Sequence, residues 1–111
     1  MAAIYTPDKW ILVKLLSPKS IYYRIFGSWY GGYGGSDSWK LSSGVESFID
    51  NKTHYTSLQT SGSTYLCGKN NYGASGYAFS IYEGLRESSL KMDIHISIVD
   101  ENEIGKLNFN K

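Results

Sequence analysis

The stretch Lys9-Trp10-Ile11-Leu12-Val13-Lys14-Leu15-Leu16 decides how this chain must fold. Its side chains alternate, as in a strand, so Ile11, Val13 and Leu15 share one face. The other face carries Trp10, Leu12 and Leu16, interrupted only by Lys14. With both faces mostly apolar, this strand is expected to be central in the sheet.

Working outward, Ser17-Pro18-Lys19-Ser20 is a turn, because proline presets φ and cannot donate to a ladder. Ile21 to Tyr30 returns as the second arm of a hairpin, with Ile21, Tyr23 and Ile25 on one face and Tyr22, Arg24 and Phe26 on the other. Strand character resumes at Ser38 to Leu41 and at Val45 to Ile49, with Gly44 marking a bulge or bend. Asp50-Asn51-Lys52 turns into a polar strand, Thr53 to Thr60. Ser61-Gly62 centres a hairpin that returns through Ser63 to Gly68, and Lys69 to Gly73 is a loop.

The period then changes. Tyr77, Ile81 and Leu85 recur at helical spacing, opposite Glu83, Arg86 and Glu87, which predicts an amphipathic helix over Tyr77 to Glu87. Ser75 is placed to cap it, Ser88-Ser89 to end it, and Gly84 suggests close packing on the sheet. Met92 to Val99 is the last strand, with Ile94, Ile96 and Ile98 on one face. Asp100-Glu101-Asn102-Glu103 opens a polar tail over 100–111. The expected fold is therefore α+β: an antiparallel meander of about six strands, open or curled into a partial barrel, with one helix before the last strand.

A length of 111 residues predicts one domain. With 41 % hydrophobic and 19 % charged residues the chain is not of disordered composition. A net charge of +1 excludes the broad basic field of a dedicated duplex-DNA binder. Charge is uneven, though: residues 1–45 hold five basic and two acidic groups, residues 46–111 six and eight. No apolar run reaches the length of a secretory or membrane-spanning segment. Cys67 is the only cysteine, so no intrachain disulfide exists. The expected location is the cytoplasm, with no membrane association; the sequon Asn51-Lys52-Thr53 then has no role.

Nucleotide loops are absent. Gly68-Lys69 lacks the preceding glycine and following hydroxyl of a Walker loop, and Gly32-Tyr33-Gly34 has Asp37 where a dinucleotide fingerprint needs its third glycine. The one biased segment is Gly27 to Trp39, which packs five glycines and four aromatics into thirteen residues. Tyr and Trp offer large contact area at little rotamer cost, while glycine adapts the backbone. Trp29, Tyr30, Tyr33, Asp37 and Trp39 are accordingly the candidate partner-binding residues, with Tyr33 the expected solvent-facing anchor and Trp39 the more inward.

Three function classes follow. The favoured one is a non-catalytic module that binds an as yet unidentified protein partner through this segment. The alternative is a single-strand nucleic-acid binder, stacking bases on Tyr22, Tyr30 or Tyr33 with Lys14, Lys19 and Arg24 on phosphates. The third is a small enzyme using Cys67 activated by His54. Pairing about Ser61-Gly62 would set Thr56 opposite Cys67 and put His54 diagonally beside it. A sugar-binding module is a minor further class. His54, His95 and Cys67 lack the spacing of a zinc site, and neither metal nor cofactor is expected.

Overall fold

The computed structural model describes residues 3–31 and 37–107. Within them lie β1 (Ile4–Tyr5), β2 (Lys9–Leu16), β3 (Ile21–Trp29), β4 (Ser38–Asp50), β5 (His54–Gln59), β6 (Thr64–Gly68), α1 (Gly76–Leu90) and β7 (His95–Ile98). Short 3₁₀ helices cover Lys69–Asn71 and Glu101–Lys106. The strands form one sheet in the order β1-β6-β5-β4-β3-β2-β7. All neighbours are antiparallel except β1, which runs parallel to β6. The sheet is thus mixed rather than a pure meander, and it has a seventh strand that the sequence pattern did not show. Two residues are too few to carry a period, and β1 is held by tertiary partners: Thr64 N–H donates to Ala3 O, and Tyr5 stacks at 4.9 Å on Tyr65.

Both faces of β2 are covered, by different means. Ile11, Val13 and Leu15 pack with Phe26 and Ile96 beneath Ala78 and Tyr82 of α1. Trp10 and Leu12 pack on the other side with Ile25, Tyr65, Cys67, Val99 and Ile104. That second cover comes from the sheet itself, which curls until β6 lies over β2. The curl originates in β4. Ser42 and Ser43 stand opposite Ile25 alone, and Glu46 is an extra residue between the Val45–Gln59 and Ser47–Leu58 pairs. Each bulge bends its strand and raises its twist. The polar groups this leaves inside are paired: Ser42 Oγ accepts from Ile25 N at 2.8 Å and from Gln59 Nε2 at 2.7 Å, and Gln59 Oε1 accepts from Ser57 Oγ. The sheet stops short of a closed barrel, and β1 and β7 remain edges.

One tyrosine joins the edge of β2 to two different segments. Tyr72 bridges Trp10 in parallel fashion, and Gly73 N–H donates to Trp10 O at 2.8 Å. From Val13 onward the same edge pairs with β7. At the changeover the Tyr72 hydroxyl accepts from Leu12 N–H at 3.1 Å and donates to Val99 O at 2.6 Å. It thereby satisfies two backbone groups at the point where one ladder ends and the other begins.

Several expected details shift. The helix starts where its cap predicts, with Ser75 Oγ accepting from Ala78 N–H at 3.2 Å. Its buried face, however, is Ala78 and Tyr82, while Ile81 and Leu85 are half-buried and Tyr77 is 41 % exposed. A helical stripe is broad enough for a rotation of one residue to keep the pattern. Gly84 has open space where a Cβ would stand, so it marks no close approach. The 100–111 segment is not simply a polar tail: over Glu101–Lys106 it is helical and buries Ile104 on Trp10 and Leu12, while 108–111 lie outside the described residues.

Half-buried Tyr72 and buried Tyr65 should respond oppositely to loss of their hydroxyls. Tyr72→Phe leaves Leu12 N–H and Val99 C=O unpaired and should cost about 1–3 kcal/mol. Tyr65 Oη is buried without a hydrogen-bond partner among the described residues, so Tyr65→Phe should be neutral or stabilising. Urea unfolding of the two variants checks both; equal effects would show that the splice at Tyr72 contributes nothing.

Candidate functional site

The described parts of the glycine/aromatic segment, 27–31 and 37–39, lie at the outer end of the β3–β4 pair. Its first residues, through Trp29, belong to β3, and Ser38 and Trp39 belong to β4, with Ser28 opposite Trp39 and Trp29 opposite Ser38. Alternation therefore sends the two tryptophans to opposite faces. Trp29 lies on the inner face, edge-on to Tyr5 at 6.4 Å, with its indole N–H on Thr6 O at 3.1 Å. Trp39 lies on the helix side, 5.5 Å from Phe26, and is 38 % exposed rather than inward. The buried ring of this hairpin is Phe26, which fills the place that Trp39 was expected to take.

Two carboxylates fix the backbone where the strands part. Asp8 Oδ2 accepts from Tyr30 N–H at 2.8 Å, and Asp37 Oδ1 accepts from Gly31 N–H at 2.9 Å. Asp37 thus ties the start of β4 to Gly31, just past the end of β3. Tyr30 projects from this pinned position and is 47 % exposed. Tyr33, the expected anchor, lies outside the described residues. Two of the glycines have structural reasons: a Cβ at Gly27 would meet Pro7 Cβ at 2.9 Å, and Gly31 has φ +52°.

The nucleic-acid candidates do not share a surface. Tyr22 and Arg24 lie on the helix side of β3, with the guanidinium 5.6 Å over the Tyr22 ring. Lys14 pairs across the ladder with Tyr23 on the inner face, and Lys19 is in the turn beyond. The four residues therefore straddle the sheet.

His54 and Cys67 are separated too. The observed pairs are Tyr55–Cys67, Thr56–Leu66 and His54–Gly68, one residue away from the expected register. Gln59 N–H donates to Ser63 O and Gly62 N–H to Gln59 O, both at 2.9 Å, so three residues rather than two make the turn. Gly62 supplies the left-handed conformation that such a turn needs, at φ +94°. A one-residue slip exchanges faces. Cys67 points into the core, fully buried, and His54 points away from it. Burial pushes the Cys67 thiol up to about 12, the reverse of what a thiolate nucleophile requires. No group of three or more His, Cys, Asp or Glu side chains suited to a metal occurs among the described residues.

A pocket that the sequence pattern did not suggest lies where the Glu101–Lys106 helix crosses the curled sheet. It holds about 230 Å3 and is lined by Trp10, Tyr55, Tyr72 and Ile104, with Lys69, Glu101 and Asn102 at its rim. Lys69 is engaged: its Nζ pairs with Asp50 and sits 5.0 Å over the Tyr55 ring. That pairing, with a hydrogen bond from Lys52 N–H, holds the Asp50 carboxyl below its usual range.

No described helix is long and apolar enough to cross a membrane. Comparison of the chain with protein-family models, with curated proteins and with solved structures finds no match.

Burial fixes an alkaline sensitivity. Cys67, ordinarily at 9.0, and Tyr65 and Tyr72, ordinarily at 10.0, are each raised to about 12, chiefly by desolvation. The folded state thus favours the protonated forms. Their contribution is complete below pH 9 and is lost as pH climbs toward 12. Cys67 alone should contribute a slope of about 1.4 kcal/mol per pH unit. Unfolding midpoints measured from pH 8 to 11 should fall from about pH 9, and Cys67→Ala should delay the fall until the tyrosines begin to titrate.

Proposed function

We propose that this chain is a non-catalytic interaction module that binds a protein partner through the outer end of its β3–β4 hairpin. The observation that carries this reading is the pinned exposure of Tyr30 and Trp39. Both rings reach solvent from backbone held by a ladder pair or by a carboxylate, Trp39 opposite Ser28 and Tyr30 on Asp8. Backbone already fixed before binding leaves less to order when a partner covers the rings it carries, and Tyr and Trp dominate the energetic centres of protein interfaces. Inner-face neighbours extend the surface: Trp29 with Tyr5, and Lys40 with its Nζ 5.4 Å over the Tyr5 ring. The thiol's burial and raised pKa support a binding role over a nucleophilic one.

Single-strand nucleic-acid binding remains the alternative proposal. It would draw on Tyr30 together with Lys14, Lys19, Tyr22 and Arg24, whose placement on both sides of the sheet gives it less support.

Tyr30→Ala should weaken partner binding about thirtyfold, the effect of losing an anchor of roughly 2 kcal/mol. Its thermal midpoint should stay close to that of the parent, since an exposed ring away from the core contributes within about 0.5 kcal/mol. Capture from the lysate of the source cell, with parent and variant side by side, gives the comparison. Retained capture by Tyr30→Ala would place the surface elsewhere. Release that steepens with added salt, and is abolished by nuclease, would select the nucleic-acid alternative.

A further inference from the structure

A second surface is the outer edge of β7, which pairs with the end of β2 opposite to the one beside Ser28 and Trp29. Val99 N–H donates to Leu12 O at 2.9 Å, which fixes the phase of the β2–β7 ladder. With Leu12–Val99 a hydrogen-bonded pair, Lys14–Ser97 and Leu16–His95 are hydrogen-bonded too, and Val13–Ile98 and Leu15–Ile96 are not. The backbone N–H and C=O of Ile96 and Ile98 therefore point outward from the sheet. Among the described residues the one hydrogen bond that reaches them is a long one, Tyr82 Oη to Ile96 O at 3.4 Å. Such a row is a template for another strand.

The surroundings specify what kind of strand. On the helix side the edge is apolar: Ile98 is 37 % exposed, and Phe79, 45 % exposed, lies 5.8 Å from Tyr82. On the opposite side, at the start of β7, a groove of about 320 Å3 is lined by Leu16, Ser17, Pro18, Asp93 and His95. Leu16 and Pro18 can carry the methylenes of a long side chain, and Asp93 can receive its charged head. The Asp93 carboxylate is exposed and has no ion pair among the described residues. The far end of β7 is acidic as well, at Asp100 and Glu101. Lys91 is the cation in the turn before β7.

We propose that β7 accepts an extended peptide as an eighth strand, and that the peptide alternates apolar and basic residues. Its apolar side chains lie against Ile98 and Phe79, and a lysine or arginine enters the groove at Asp93. Main-chain bonds supply affinity and alternate side chains supply specificity, as in other strand additions. A second copy of this chain is the wrong occupant, because its β7, His95-Ile96-Ser97-Ile98, carries no lysine or arginine to enter the groove at Asp93.

The test is a nuclear magnetic resonance titration of the ¹⁵N-labelled chain. The probe is a capped peptide of about seven residues alternating valine and lysine, at low salt. Shifts are expected at the amides of Ile96, Ile98 and Asp93, with slowed hydrogen exchange at Ile96 and Ile98. The same peptide with glutamate for lysine should bind at least about tenfold more weakly, and one N-methylated at alternate residues should not bind. Asp93→Asn should remove most of the lysine preference. Asparagine is the replacement of choice because residue 93 has φ +65°, which it tolerates. Equal affinity for the lysine and glutamate peptides, binding that survives N-methylation, shifts confined to other strands, or a concentration-dependent dimer joined at β7 would each overturn the proposal.

Discussion

A strand that is apolar on both faces cannot be satisfied by one layer of cover, and β2 is such a strand. The described strands all belong to one sheet, so the second layer is not a separate sheet. The structure meets the demand by using one sheet twice. The β3–β2–β7 half receives α1 on one face, while the β4–β5–β6 half bends back over the other. Trp10 is where the two halves meet. Its ring lies 4.6 Å from Tyr72 and 5.9 Å from Tyr55, and its indole N–H reaches Gly68 O at 2.7 Å. The rest of the architecture follows from burying that ring and Leu12 beside it.

Bending a sheet so sharply exposes backbone and side-chain polar groups to the interior, and these have to be paired where they lie. Gln59 does this. Buried at the bend, its amide reaches Ser42 Oγ and Ser43 O, at 2.7 and 2.8 Å, and its carbonyl takes the Ser57 hydroxyl. Gly44 lies between the two bulges of β4, with Thr60 Cγ2 at 3.6 Å from where its Cβ would stand. The polar, β-branched look of β5 thus has two causes: one face is solvated, and the other supplies the hydrogen bonds that let the sheet turn.

How much of this could be read from the sequence depends on whether a feature is set locally or by distant partners. The double-faced β2, its hairpin, the bend at Gly44 and the Ser75 cap are local, and they stand in the structure as the pattern predicts. The β5–β6 register is also local, but it depends on a choice between a two- and a three-residue turn, and Ser61-Gly62 permits either. That single step exchanged the faces of His54 and Cys67 and with them the apparent catalytic pair. Non-local features left no signal in the pattern. Examples are β1 alongside β6, Ile104 within the core, and the Tyr72 hydroxyl between Leu12 and Val99. Of the candidate site, Trp29, Tyr30, Asp37 and Trp39 do cluster along one hairpin end. The pattern did not distinguish the residues that present surface from those that hold it: Asp37 clamps, Gly27 admits Pro7, and Trp29 packs.

The incomplete closure of the sheet links its two exposed regions. Had β7 and β1 met, every strand would have had two neighbours and the inner face would have been sealed at both ends. Instead the curl covers only the half of the β2–β3 inner face nearest Trp10, and Leu16 and Ile21 at the other end remain exposed. Tyr72 sets that limit on the β7 side. By ending one pairing and admitting the other, it assigns the β2 edge from Val13 onward to a strand of only four residues. Among the described residues the outer edge of that strand is then left without a partner strand. At the opposite end of β3 the ladder runs on to Trp29–Ser38, past the region the curl covers, and brings Tyr30 and part of the Trp39 ring out to solvent. The same constraint that buries Trp10 thus leaves one surface that is aromatic and pinned and another that is a strand edge with acidic ends. The two exposed regions differ in chemistry because one is made where the β3–β4 ladder overruns the curl and the other where the β2 edge changes its partner.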